Sequence, residues 1–151
     1  MVTASGVVVA VHLCPGHRQP MQPVSQAQAR EDYGLEGDHH ARPGSRRQVL
    51  LVAEETLTAL DLAPGQIKEN ITTRGIALQT LPAGQRLLVG TAVLEVTGPC
   101  TPCSRMEEIR PGLQRALAGR RGVLARVVRS GVIWPGAPVN PLTADRPAER
   151  R

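Results

Sequence analysis

The sequence contains no phenylalanine, and Tyr33 and Trp134 are its only tyrosine and tryptophan. Its core must therefore be aliphatic, built from Val, Leu, Ile and Ala, and the valine-rich runs favour strands over helices. The same lack removes the interleaved aromatics on which bases stack, so nucleic acid is not expected as a partner. Lysine is almost missing too: Lys68 stands alone among eighteen basic residues, and the others are arginine. No apolar run approaches the roughly 20 residues of a membrane span. The first such run, Val7 to Leu13, includes His12 and has no basic residue before it, so it lacks the flanks of a secretory signal. Cysteines are few and odd in number (Cys14, Cys100 and Cys103), which argues against a disulfide framework and for a cytoplasmic chain.

Thirteen prolines and fifteen glycines punctuate the 151 residues, a density that suits many short strands and turns. The length fits one domain, expected over residues 1–140 and followed by a polar, disordered tail at 141–151. Strands are expected at 6–13, 47–53, 86–89, 92–97 and 122–129, with a hairpin turning at Gly90-Thr91. Short helices are expected at 54–60 and 111–118, the second with Pro111 at its first position, where a missing N–H does no harm. Residues 14–33 read as one long connection. The expected fold is mostly β and barrel-like, with two or three short peripheral helices.

The net charge of +5 is concentrated: residues 105–129 hold seven arginines against Glu107 and Glu108. Arginine binds carboxylate and phosphate bidentately, so this excess is compatible with a pocket for an anionic cofactor.

Three segments could carry chemistry. In Cys100-Thr101-Pro102-Cys103 the CxxC spacing is open to several readings. It could be half of a zinc site completed by His39 and His40, a dithiol redox pair, or a pair of inert structural cysteines. It could also present a single activated cysteine. Ser104 and Glu107 have the spacing of a capping box, which would set Cys103 just before a helical turn, near Arg105, where a thiolate is favoured. A thiolate suits a soft metal or a transferable sulfur atom. The second segment, Gly34 to His40, is a glycine-flanked turn. Its Asp38 either caps local N–H groups or presents His39 for anion binding or proton shuttling. The third, Glu69 to Gly75, would place Asn70, Thr72 and Arg74 on one face of a strand. That face could be a wall for a phosphate or pterin, or an exposed polar surface.

Taken in order, these segments resemble the MOSC family, named for the C-terminal domain of molybdenum-cofactor sulfurases. The resemblance runs through PMQPV at 20–24, GLEGDHHA at 34–41, RQVLLVAEE at 47–55 and ENITTRGIALQTLPAGQRLLVG at 69–90. It continues through AVLEVTGPCTPCSRM at 92–106 and RRGVLARVVRSGVIWPG at 120–136, about three quarters of the chain in all. It implies a MOSC-type β-barrel and a cysteine, here Cys103, able to carry sulfur or ligate molybdenum. It implies further that Arg47, Asn70 and Thr72 lie near a molybdenum cofactor of the molybdopterin type; Asp38 and His39, in the matching turn, and Arg105, two residues from Cys103, are expected to help bind it. His39 stands where the family more often has arginine. Family sulfurases join this domain to a pyridoxal-phosphate desulfurase, for which 151 residues leave no room. Pyridoxal phosphate is thus not expected, and sulfur or electrons would come from a protein partner. Stand-alone members reduce N-hydroxylated small molecules with redox partners, which suggests an oxidoreductase component; a non-catalytic carrier of cofactor or persulfide is the alternative.

Overall fold

The computed structural model describes residues 5–143. Seven strands close into a barrel. They are β1 (Gly6–Leu13), β5 (Val49–Ala53), β6 (Ile71–Arg74), β7 (Arg86–Val89), β8 (Ala92–Pro99), β9 (Val123–Arg129) and β11 (Pro138–Pro141). Around the ring the order is β11-β7-β8-β9-β5-β6-β1, and β1 pairs back onto β11 through Gly6 with Val139. Every pairing in the ring is antiparallel except β5 with β6. A parallel pair needs a crossover. Here it is supplied by α1 (Glu54–Ala59) and the loop behind it.

The barrel interior is aliphatic, as a chain without phenylalanine requires. Val8, Val11, Leu51, Ile71, Leu87, Leu94, Val127 and Val139 belong to one buried cluster, with Trp134 packed against its edge. Strand β5 shows how an unbroken apolar run is used. Val49 and Leu51 enter this cluster, whereas Leu50 and Val52 point to the other face and join a second one. That second cluster is closed by α1, α2 (Met106–Ile109) and α3 (Leu113–Ala116), through Leu57, Met106, Leu113 and Leu117. Each such aliphatic side chain contributes about 1.5–3 kcal/mol on full burial. The cleft that presents Cys103 forms along the rim of this outer cluster, beside Met106 and Ile109.

Two expectations about helices are corrected. The helix foreseen at 111–118 is a single turn at Leu113–Ala116, and Pro111 lies outside it. Gly112, in the left-handed region at φ 84°, occupies the capping position instead. The capping box at Ser104 does not form either, and α2 has no side-chain cap. The Glu107 carboxylate turns forward and accepts the Gly112 and Gln114 N–H groups at 2.8 and 2.9 Å, because the Pro111-Gly112 turn brings them within reach.

The connection at 14–33 contains more structure than its composition suggests. It holds β2 (Gln22–Pro23) and β3 (Ala27–Arg30), and β3 pairs with β4 (Gly34–Leu35) and β10 (Gly131–Ile133) in a small second sheet. Ala27 and Ala29 face inward while Gln28 and Arg30 are exposed, an alternation made inconspicuous by small residues. At the other end, β11 runs to Pro141 and Leu142 N–H still donates to Arg86. The remainder of the proposed tail, 144–151, lies outside the described residues. Among the described residues no helix is long and apolar enough to cross a membrane.

Candidate functional site

The three cysteines differ sharply in exposure: Cys103 is exposed, whereas Cys14 and Cys100 are buried. Cys103 lines a cleft of about 500 Å³. The walls come from three places: the loop after β1 (Cys14 to Gln19), the His39-His40 turn, and the segment from Cys103 to Ile109. Lys68 and Arg121 complete it. The loop carrying Cys103 is placed by the sheet, since β8 and β9 pair up to Pro99 and Val123 and the Cys100 N–H continues onto the Gly122 carbonyl at 2.9 Å. A larger cleft of about 1060 Å³ uses Cys100 to Pro102 and Gln114 to Gly119 and does not include Cys103.

Of the residues expected at the site, Cys103, His39 and Arg105 share the 500 Å³ cleft. Asp38 and Asn70 lie beneath its wall as supports. Asp38 is 6% exposed; its Oδ1 accepts the Cys14 N–H at 2.7 Å and the Asn70 amide at 3.0 Å, and its Oδ2 accepts the His40 N–H at 3.1 Å. Asn70 also donates to the His12 carbonyl and accepts the Leu50 N–H, so it ties β1, β5 and the Asp38 turn together. Thr72 is further back, fully buried, donating to Glu69 at 2.9 Å. Arg47 is exposed and lines neither cleft described above. Arg74 is turned away and pairs with Glu54 at 3.2 Å, so the face expected to join it with Asn70 and Thr72 is divided.

Several participants were not singled out from the sequence. His17, Arg18 and Lys68 stand on the cleft wall beside His40, which the sequence offered only as a zinc ligand, and the rings of His17, His39 and His40 lie within 5.5–6.3 Å of their neighbours. Against these basic groups stands Glu108, itself 3.8 Å from Arg18. The rim is therefore electropositive. Among the described residues no three His, Cys, Asp or Glu side chains come together as a metal cage, so the Cys100, Cys103, His39 and His40 zinc set is not assembled.

Behind the cleft lie two more buried ionisable groups. Glu69 accepts the Gly65 N–H and the Thr72 hydroxyl on Oε2, while Oε1 has no partner. Burial holds its pKa above the ordinary carboxylate range, opposed by those hydrogen bonds and by Arg121. His12 packs its ring against Gly65 so closely that a Cβ there would lie 2.7 Å from it. Its Nδ1 has no partner, and burial lowers its pKa.

A closed seven-stranded barrel with an external, helix-flanked cleft and one exposed thiol defines the class of domain. The family model for the MOSC domain matches residues 36–140, more than half of the sequence, and the chain belongs to that family. The fold is similar to that of the YuaD protein from Bacillus subtilis, at a TM-score of 0.77 and 19% identity over 96% of this chain and 100% of that one. YiiM from Geobacillus stearothermophilus is similar at 0.74 and 22% identity, covering 91% of this chain and 75% of its own. YiiM from Escherichia coli follows at 0.69 and 20%, covering 92% and 71%. No match is found among curated proteins.

Proposed function

We propose that Cys103 is the reactive group of this domain and that its cleft receives a pterin-bound molybdenum cofactor. The observation that carries this reading is the coincidence of the exposed thiol with an electropositive cleft. A thiolate is a soft ligand suited to molybdenum or to a sulfane sulfur, and an organic phosphate is an anion for which such a rim is complementary. The residues present fit the group: Cys103 would hold the metal, and His39, Arg105, Arg18 and Lys68 would face the anionic portions. When bound, the cofactor would supply a metal centre able to exchange electrons with an N-hydroxylated substrate. The chain's own part is to hold the thiol and the cleft wall in place. Asp38 and Asn70 do so by fixing the Cys14 and His40 backbone from below. Electrons or sulfur would arrive from a protein partner.

The exposure of Cys103 also favours a second reading, in which the domain carries persulfide or cofactor to a partner without turnover. Protein purified from cells that make the cofactor decides between them. Molybdenum with a pterin signature, together with reduction of a hydroxylamine, supports the first; persulfide on Cys103 without metal supports the second. If Cys103→Ser retains as much molybdenum or persulfide as the parent protein, both readings fail.

A further inference from the structure

A second thiol lines the cleft that presents Cys103. It belongs to Cys14, which is only 5% exposed. Its sulfur is part-buried and not sealed, and the thiol donates weakly to the Gly16 carbonyl at 3.2 Å. Cys100, which the CxxC spacing would pair with Cys103, opens instead onto the larger cleft. The two clefts have no lining residue in common.

The backbone fixes this division. Cys14 directly follows β1 and is anchored on both sides. Asp38 accepts its N–H at 2.7 Å, and its carbonyl accepts the His39 N–H at 2.8 Å. Cys100 is anchored elsewhere. Its N–H donates to the Gly122 carbonyl at 2.9 Å, and its side chain joins the aliphatic cluster of Leu57, Met106 and Leu113. Pro102 then locks one backbone torsion between Cys100 and Cys103. Cys103 itself lies in the loop between β8 and α2, outside any strand or helix. An exposed thiol beside a shielded one suits a division of labour: the first meets an oxidant and the second resolves the product.

We infer that Cys14 is the resolving partner of Cys103, and that the two close a disulfide across the cleft on meeting a low-molecular-weight disulfide. The Cys103 thiolate attacks that disulfide, bonds to one half and expels the other as a thiolate. The Cys14 thiolate then attacks the Cys103 sulfur; the bond to the first half breaks and the Cys14–Cys103 bond forms. Two electrons pass from the protein thiols to the external disulfide, whose two thiolates take up the two protons. The second attack is intramolecular, which offsets the shielding of Cys14. Closure withdraws the Cys103 thiolate from the cleft, so the reactive group is present only in reducing surroundings. The inference rests on the proposed function in taking Cys103 as the reactive thiol, but it needs neither metal, pterin nor persulfide.

Peptide mapping tests it. The full chain, expressed where the cofactor is not made and then reduced, is treated with oxidised glutathione at neutral pH. Remaining thiols are alkylated, and the protein is digested with trypsin without reduction. Cys14 falls in peptide 1–18, whereas Cys100 and Cys103 share peptide 87–105. The expected product is a disulfide that links these two peptides, and Cys100→Ser should form it equally well. Cys14→Ser should stop at glutathione bound to Cys103, and Cys103→Ser should form neither product. Circular dichroism checks both folds; should either variant unfold, the parent protein and Cys100→Ser decide the matter. A disulfide loop within peptide 87–105, a covalent dimer through Cys103, or loss of the link in Cys100→Ser overturns the inference. So does a parent protein in which Cys14 stays free. Formation of the link in a protein that never holds molybdenum or persulfide keeps the inference and removes the proposed function, so the two fail separately.

Discussion

At the residue scale, the three thiols make the simplest measurement. Cys103 is exposed and Cys14 and Cys100 are buried, so a maleimide or iodoacetamide should modify Cys103 first in the native protein. Peptide mass mapping over time should find the other two labelled only as the fold opens; simultaneous labelling of all three would contradict the exposure seen here. Asp38 offers a second test. Removing its carboxylate in Asp38→Ala leaves the Cys14, His40 and Asn70 donors without their acceptor. At about 1–3 kcal/mol for each buried donor that stays unmet, the variant should lose roughly 3 kcal/mol in a urea titration.

His12 gives a pH dependence with a definite sign. Its folded pKa lies below the ordinary 6.5 because burial disfavours the imidazolium. Its contribution is therefore fully present above about 6.5 and is lost as the pH falls toward the folded value. Glu69 acts in the opposite sense: with its folded pKa raised above 4.5, its contribution is present below that value and declines as the pH rises through the folded pKa. Glu69→Gln should thus lessen the decline in stability as the pH rises above about 4.5, and a neutral replacement at His12 should lessen the loss as the pH falls below about 6.5. An unchanged profile in both would mean that other groups set it.

At the scale of the elements, what was legible in the sequence follows from side-chain size. The strands at 6–13 and 86–89 emerge with the expected limits because Val and Leu mark both their faces. Strand β3 was hidden because alanine and glutamine alternate without contrast, and β11 because two prolines bound it. Helix α3 was expected to be longer than it is, whereas the turn after Cys103 forms as α2 but without its capping box, because the Glu107 carboxylate serves the next turn instead of its own. Much the same holds for the site. Its polar residues stand out in the sequence, but which line the cleft and which support it is decided by hydrogen bonds between strands far apart in the chain. Arg121 sits inside the arginine-rich stretch that the sequence offers, as a whole, to an anionic cofactor; only its burial in the fold shows that it is the one turned inward. Gly122 follows it with φ at +103°, where a Cβ would lie 2.2 Å from the Leu51 carbonyl oxygen. Gly122→Ala should cost about 2 kcal/mol or more, from the positive φ and the collision with β5. A melting temperature close to that of the parent protein would show that β5 and β9 can separate there freely.

On the scale of the whole molecule, closure joins the chain's remote ends: Gly6 pairs with Val139, and β11 is held between β1 and β7. Non-local pairing of this kind slows folding, and refolding should take milliseconds to seconds. Deleting residues 137–151 removes the closing strand and should abolish the cooperative unfolding transition, a loss readable by calorimetry.

The near-absence of aromatic residues has an optical consequence. Trp134 is the sole indole, and it leans against the barrel cluster without lining the thiol cleft. Its emission therefore reports whether the barrel is closed, uncontaminated by other tryptophans. A ligand entering beside Cys103 should leave that emission nearly dark to the event, so a quench or spectral shift on adding phosphate would reveal a movement carried through the sheet.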